Sequence, residues 1–164
     1  MFTRKERKVS NLFEQANGWL ITSWTPDASP SGLEGIPTNA FQVQMPLTVL
    51  PMPDDSGLCA VIWQDKGDEW CSASGLAFDA ETLTLQGNTL VNFGGQSTAF
   101  CLLQLTLITT STPMTINGFI SVIIQGDAPE VGSGTFTATA NPNPPVIDES
   151  RVAEKGVREA LTAK

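Results

Sequence analysis

The sequence predicts an all-β chain: an antiparallel β-sandwich, with the jelly roll as one form of it, of about eight or nine strands carrying short helical arms at both ends. Three observations predict it. Residues 99 to 125 hold two long alternating runs, with Ala99, Cys101, Leu103, Leu105 and Leu107 on one face and Gln104 and Thr106 on the other, then Met114, Ile116, Ile120, Val122 and Ile124 against Thr115, Asn117, Ser121 and Gln125. That period of two is the signature of a pleated strand with one face buried. Further strand-like runs recur along the chain with turn residues between them and no helical pattern separating them. Both ends, by contrast, carry apolar residues at helical spacing.

Residues 1 to 18 read as an N-terminal helical arm. Thr3 and Glu6 have the spacing of a capping box, Val9, Leu12, Phe13 and Ala16 follow at i, i+3, i+4 and i+7, and Asn17-Gly18 supplies the stop. Residues 19 to 140 form the β body. Trp19 to Trp24 open it, with the two indoles read either as core or as a partner surface, and a Pro/Ser/Gly-rich loop over residues 25 to 39 follows. Phe41, Val43, Met45, Leu47 and Val49 alternate with Gln42, Gln44 and Thr48, and Pro46 inside that run argues for an edge strand or a bulge. Leu58-Cys59-Ala60-Val61-Ile62-Trp63 is apolar on both faces, so it reads as a strand covered on each side, its outer cover being a helix or a neighbouring subunit. Glu69-Trp70-Cys71 and the run Leu83 to Val91, with a turn at Gly87-Asn88, supply further strands. The Thr/Ser/Pro break at residues 109 to 113 separates the two central strands, and Thr135 to Ala140 is the last strand, opened by Gly132-Ser133-Gly134. Residues 141 to 164 are a Pro-rich spacer, Asn141-Pro142-Asn143-Pro144-Pro145, and a short helix bearing Ala153, Val157, Ala160 and Leu161 on one stripe.

Composition narrows the chemistry. The 164 residues suit one domain, and they contain neither histidine nor tyrosine. Histidine-based triads and metal sites are therefore absent, and no P-loop, Gly-x-Ser-x-Gly or Gly-x-Gly-x-x-Gly motif occurs. The expectation is a protein that is not an enzyme and binds no cofactor. Cys59, Cys71 and Cys101 are odd in number and lack Cys-x-x-Cys spacing, which predicts buried thiols and synthesis in a reducing cytoplasm. The charged start, MFTRKERK, lacks the apolar stretch of a secretory signal, and no run is long enough for a membrane-spanning helix, so neither secretion by a signal peptide nor membrane insertion is expected.

The net charge of -8 is unevenly spread. Arg4, Lys5, Arg7 and Lys8 face only Glu6 at the start, Arg151, Lys155, Arg158 and Lys164 face Glu154 and Glu159 at the end, and Lys66 is the only base between. An acidic body repels nucleic acid, leaving the basic N-terminus as the one place for such a contact. The basic ends also suit docking onto an acidic neighbour or binding an anion. Arg4, Lys5, Arg7, Lys8, Leu12, Phe13, Arg151, Lys155, Val157, Arg158 and Leu161 are the candidate subunit or anion contacts. A second candidate lies at the hairpin tip Trp63-Gln64-Asp65-Lys66-Gly67-Asp68-Glu69-Trp70. An ordinary tight turn accounts for it. The alternatives are a glycan site in which Trp63 and Trp70 stack on a sugar and Asp65, Asp68 and Glu69 accept its hydroxyls, and a calcium site on those three acids, which lacks EF-hand spacing.

In outline the architecture resembles small viral capsid or capsid-associated proteins. The resemblance implies a structural virion subunit (capsid, cement, spike or tail) whose arms hold neighbouring copies or other structural subunits; a glycan-binding module is the alternative.

Overall fold

Eight antiparallel strands follow one another around one closed sheet: β1 (Trp19–Pro26), β2 (Pro46–Pro51), β3 (Cys59–Gln64), β4 (Trp70–Asp79), β5 (Thr84–Phe93), β6 (Ser97–Ile108), β7 (Thr115–Ile124) and β8 (Glu130–Ala140). A helix, α1 (Lys155–Thr162), comes after them. The structure is a computed structural model that describes residues 13, 18–27, 40–52, 56–65, 69–93, 97–124, 130–141, 143 and 155–162. The helix expected over residues 4 to 16 lies outside the described residues apart from Phe13.

The chain is all-β and antiparallel, as expected, but the sheet is a barrel and not a pair of packed sheets. Each strand pairs with the next in sequence, and β8 returns to β1, Trp19 lying opposite Ala140 and Pro26 opposite Gly134. A jelly roll needs strands that pair out of sequence order. Alternation could not separate the two architectures, because a sandwich and a barrel each bury one face of every strand.

Inside the barrel the apolar face of each strand meets the others. Leu47 and Val49, Cys59, Val61 and Trp63, Cys71 and Ala73, Leu85 and Val91, the β6 row from Cys101 to Leu107, Ile116, Ile120 and Val122, and Phe136 and Ala138 belong to one buried cluster. The central hairpin has the predicted faces, with Cys101 opposite Val122, Leu103 opposite Ile120 and Leu107 opposite Ile116.

Each end of the barrel is closed by a residue from outside the strands. Phe41 enters one end and stacks between Phe136, at 4.2 Å between ring centres, and Trp63, at 5.0 Å, with Trp24 tilted against it. The Trp63 indole N–H donates to the Ala40 carbonyl at 2.7 Å, fixing that segment in place. Phe13 closes the other end against Trp19 and edge-on to Phe78, and the Trp19 indole N–H donates to the Phe13 carbonyl at 2.9 Å. A buried indole needs a partner for its N–H. Here the two partners are the backbones of the closing segments.

The Phe41 arrangement corrects the strand expected over residues 41 to 49. The strand begins at Pro46, the first position, where a proline breaks no ladder bond. Residues before it form a turn tied to β1 by Gln44 N–H to Ile21 O at 2.8 Å and Ile21 N–H to Met45 O at 2.9 Å. Gln44 has a φ of 72°, and Val43, expected inside, is exposed. The turn expected at Gly87-Asn88 is also absent: β5 runs straight through, and the reversal falls at residues 80 to 83. Gly87 is there for space, since a Cβ on it would stand 3.0 Å from Leu76 Cδ2 and 3.1 Å from the Gly75 carbonyl.

Two further glycines make room for the aromatic stack. Gly118 is paired with Phe136, and a Cβ there would stand 2.1 Å from Phe136 Cζ; one on Gly134 would stand 2.4 Å from the Trp24 ring. Gly75, by contrast, has open space around it but a φ of 79°, at an irregularity between Ala73 and Ala77. Gly118→Ala is therefore expected to cost about 3 kcal/mol through overpacking, and Gly75→Ala about 1 kcal/mol through backbone strain alone. Urea unfolding of the two variants checks this, and equal losses would contradict it.

Candidate functional site

The strands on either side of the hairpin tip between β3 and β4 carry Trp63 and Trp70 on opposite faces of the sheet. Trp63 and Trp70 flank the same turn, yet Trp63 points into the barrel at 0% exposure while Trp70 lies on the outer wall at 8%. Strand alternation enforces this separation, because Trp70 is the cross-strand partner of Gln64 and Cys71 that of Trp63. The two indoles share no surface on which a sugar could stack. Asp65 closes its own turn: Oδ1 accepts the Glu69 N–H at 3.0 Å, the Asp65 N–H donates to the Glu69 carbonyl at 3.0 Å, and Oδ2 lies 3.7 Å from the Cys71 thiol. Glu69 is exposed, and Asp68 lies outside the described residues. Among the described residues no group of three or more acids and cysteines is placed to hold a metal ion.

The arm residues that are described sit on the chain's own barrel. Phe13 closes one end, as above. Val157 is buried and Leu161 half-buried where α1 packs on the outer face of β2, β3 and β4, against Leu50, Ala60, Ile62, Trp70 and Met52. This explains why β3 reads as apolar on both faces: Val61 and Trp63 face the interior while Ala60 and Ile62 face the helix. Of the two covers considered for that strand, the helix is present. Arg158 is half-buried beside this contact, while Arg4, Lys5, Arg7, Lys8, Leu12, Arg151 and the side chain of Lys155 lie outside the described residues.

The opposite side of the wall was not singled out by motif. On the outer face of β5, β6 and β7, Leu90 is 59% exposed, Phe100 44% and Ile123 40%. They form one row, Leu90 opposite Phe100 and Phe100 opposite Ile123, so the three side chains make a ridge across three strands. The next rows are Asn88, Leu102 and Ser121, then Gln86, Gln104 and Phe119, then Thr84, Thr106 and Asn117. No charged residue occurs anywhere between Glu81 and Asp127. That gap in the charge pattern was the available sequence signal. Such a face differs from an ordinary solvated surface, which carries charges of both signs at roughly a quarter to a third of its positions. Its Gln, Asn, Ser and Thr residues, over an apolar interior, also give the wall the reverse polarity of a membrane-spanning barrel, whose apolar side faces out. No helix among the described residues is long and apolar enough to cross a membrane.

Cys59, Cys71 and Cys101 are buried, and none is in a disulfide. Burial pushes the Cys101 thiol up to about 12, a hydrogen bond from the Val91 backbone opposing this, so it remains protonated. The native chain is expected to leave all three thiols unreactive toward a disulfide reagent at pH 8 and to expose all three in guanidinium. Because the folded thiol resists ionisation, its contribution to stability is present below the ordinary thiol pKa of 9.0 and is lost as pH rises from there toward about 12. Denaturation at pH 8 and pH 11 checks the sign, and Cys101→Val is expected to flatten that part of the slope. Val157→Asp is expected to lift α1 from the wall and raise iodide quenching of tryptophan fluorescence by exposing Trp70. Unchanged quenching would contradict the docking. Comparison with protein-family models, curated proteins and solved structures finds no match to the chain.

Proposed function

We propose that the chain is a non-enzymatic structural subunit of a larger assembly, a virion protein. The observation that supports this reading best is the uncharged outer wall of β5, β6 and β7 with its exposed row Leu90, Phe100 and Ile123. Interfaces are depleted in charge at their centres and enriched in aromatic residues, and this wall has both properties. The filled interior adds support. Barrels of the lipocalin type hold a small molecule in the lumen, whereas here side chains occupy the lumen, with Phe13 and Phe41 among them. Contact with other subunits then falls to the outer surface.

This reading moves the point of contact. Of the arm residues expected to hold neighbours, Phe13, Val157 and Leu161 are engaged within the chain. The wall offers a further surface for that role. Gradient sedimentation of material from the natural source, followed by an antibody to this chain, tests the proposal. The chain is expected to travel with a particle many times its own mass, and recovery solely at the position of a single chain would overturn the reading. Phe100→Glu is expected to shift most of the chain out of the particle fraction.

A further inference from the structure

We infer that the uncharged wall of β5, β6 and β7 binds the same wall of a second copy of this chain, face to face about a two-fold axis near Phe100. The inference rests on the building-block reading above and names the partner at that surface.

Charge selects the partner. The chain carries -8 overall, and its acids lie outside the stretch that builds β5, β6 and β7. Asp27, Asp65, Glu69, Asp79, Glu81 and Glu159 lie off these three strands, Asp79 standing beside Thr84 at the end of the wall away from Leu90. Two copies approaching by this wall bring together only Leu, Ile, Phe, Asn, Gln, Ser and Thr, so no like charges meet and no charge is stripped of water. A partner presenting charged groups would find nothing here to pair with them and would lose their hydration. A neutral wall is best matched by a neutral wall, and this chain itself supplies one.

Shape points the same way. Leu90, Phe100 and Ile123 lie in register across the three strands, with Phe100 on the middle strand. A two-fold axis through the middle of that row sets Phe100 against its own symmetry mate and each outer residue against its counterpart row, the self-complementary contact that a two-fold dimer requires. Half-buried Leu102 and Phe119 extend the apolar patch along β6 and β7, and Asn88, Gln104 and Ser121 surround it with neutral hydrogen-bonding groups. The apolar outer face on the other side of the barrel is already covered by α1 within the chain. No described element covers this one.

Size sets the strength. Three strands spaced about 4.8 Å apart, in contact over roughly nine residues at about 3.3 Å each, offer about 400 Å² per copy, or about 800 Å² in the pair. Stable complexes bury roughly 1,200 Å² or more, so an isolated pair is weak and gains permanence through repetition in an assembly.

The test is sedimentation equilibrium of the full-length chain from micromolar to millimolar concentration, with Phe100→Lys, Phe100→Glu and Ile123→Lys, and Pro51→Lys as a control at the exposed end of β2. Circular dichroism confirms that each variant is folded, and the exposure of Phe100 and Ile123 lets a lysine there stay in water in the monomer. The parent chain and Pro51→Lys are expected to dimerise reversibly, while Phe100→Lys and Ile123→Lys weaken the dimer at least ~30-fold, the effect of losing a central contact. Mixing Phe100→Lys with Phe100→Glu is expected to restore dimers, because the axis sets position 100 of one copy against position 100 of the other. Association that all three substitutions leave unchanged would overturn this pairing while leaving the building-block reading intact. A parent chain that is monomeric throughout yet sediments with particles from its source would do the same. A mixture that stays monomeric would overturn the two-fold arrangement, and a monomer that sediments alone in both experiments would remove both readings.

Discussion

The position of Phe41 between Phe136 and Trp63 is the contact on which the barrel most depends. Closing a sheet on itself creates a single interior, and an eight-stranded barrel is just wide enough for side chains to fill it. The strands that meet at this end bring Trp24, Trp63 and Phe136, and the connecting segment before β2 brings Phe41 into the space they leave. The arrangement then dictates sequence elsewhere. Gly118 and Gly134 lack side chains because ring atoms occupy that volume, and Gln44 takes up a left-handed backbone because the chain must leave the interior and enter β2 within a few residues. Phe13 does the corresponding work at the far end with Trp19 and Phe78. A large aromatic core buried in this way supplies much of the driving force for folding, since each ring removes on the order of 150 to 250 Å² from water.

Much of this was legible in the sequence, where the signal was periodic. The hairpin of β6 and β7 followed from alternation alone, because each strand has one inward and one outward face. The doubly apolar run Leu58 to Trp63 correctly announced a second layer outside β3, and Val157 and Leu161, read as a helical stripe, are the residues that provide it. What escaped was of two kinds. Sheet closure leaves no trace in the pattern of any one strand, so sandwich and barrel read alike. Local three-dimensional crowding is equally silent: Gly87 looks like a turn because glycine usually marks one, and only its proximity to Leu76 and the Gly75 carbonyl reveals a packing role. Phe41, Val43 and Met45 alternate as a strand would, but a turn that buries one residue and exposes another gives the same string.

The candidate site was legible in a different way. Trp63 and Trp70 draw attention as a pair because both stand beside acids, and strand alternation sends them to opposite faces of the sheet. The residues that make the distinctive surface are ordinary one by one. Leu90 lies in a run broken by Gly87 and Asn88, Phe100 falls on the solvent side of the best-predicted strand, and Ile123 is one apolar residue among several. Their alignment depends on the register between three strands, which no single run encodes. The missing charges between Glu81 and Asp127 could have been counted beforehand, but the count acquires meaning only when the stretch proves to be adjacent strands with a shared outer face.

Barrel closure also restricts how such a chain can meet a neighbour. An open sheet can grow by adding a strand at its edge, with backbone hydrogen bonds supplying the affinity. Where β8 pairs with β1 that route is closed and association there uses side chains on the outer wall, whereas β1 and β2 are in register only at Trp19–Leu47 and Leu20–Pro46. The two halves of this wall have met that condition differently. Around β2, β3 and β4 the outer residues are apolar and α1 covers them, so the chain is its own partner there. Around β5, β6 and β7 an exposed ridge lies within a neutral polar surface, a composition that keeps the isolated chain hydrated while leaving apolar area to bury on contact. The acids lie outside the stretch that builds these three strands. In the pairing proposed above, the absence of charge from these three strands lets two such surfaces meet without stripping a carboxylate of water.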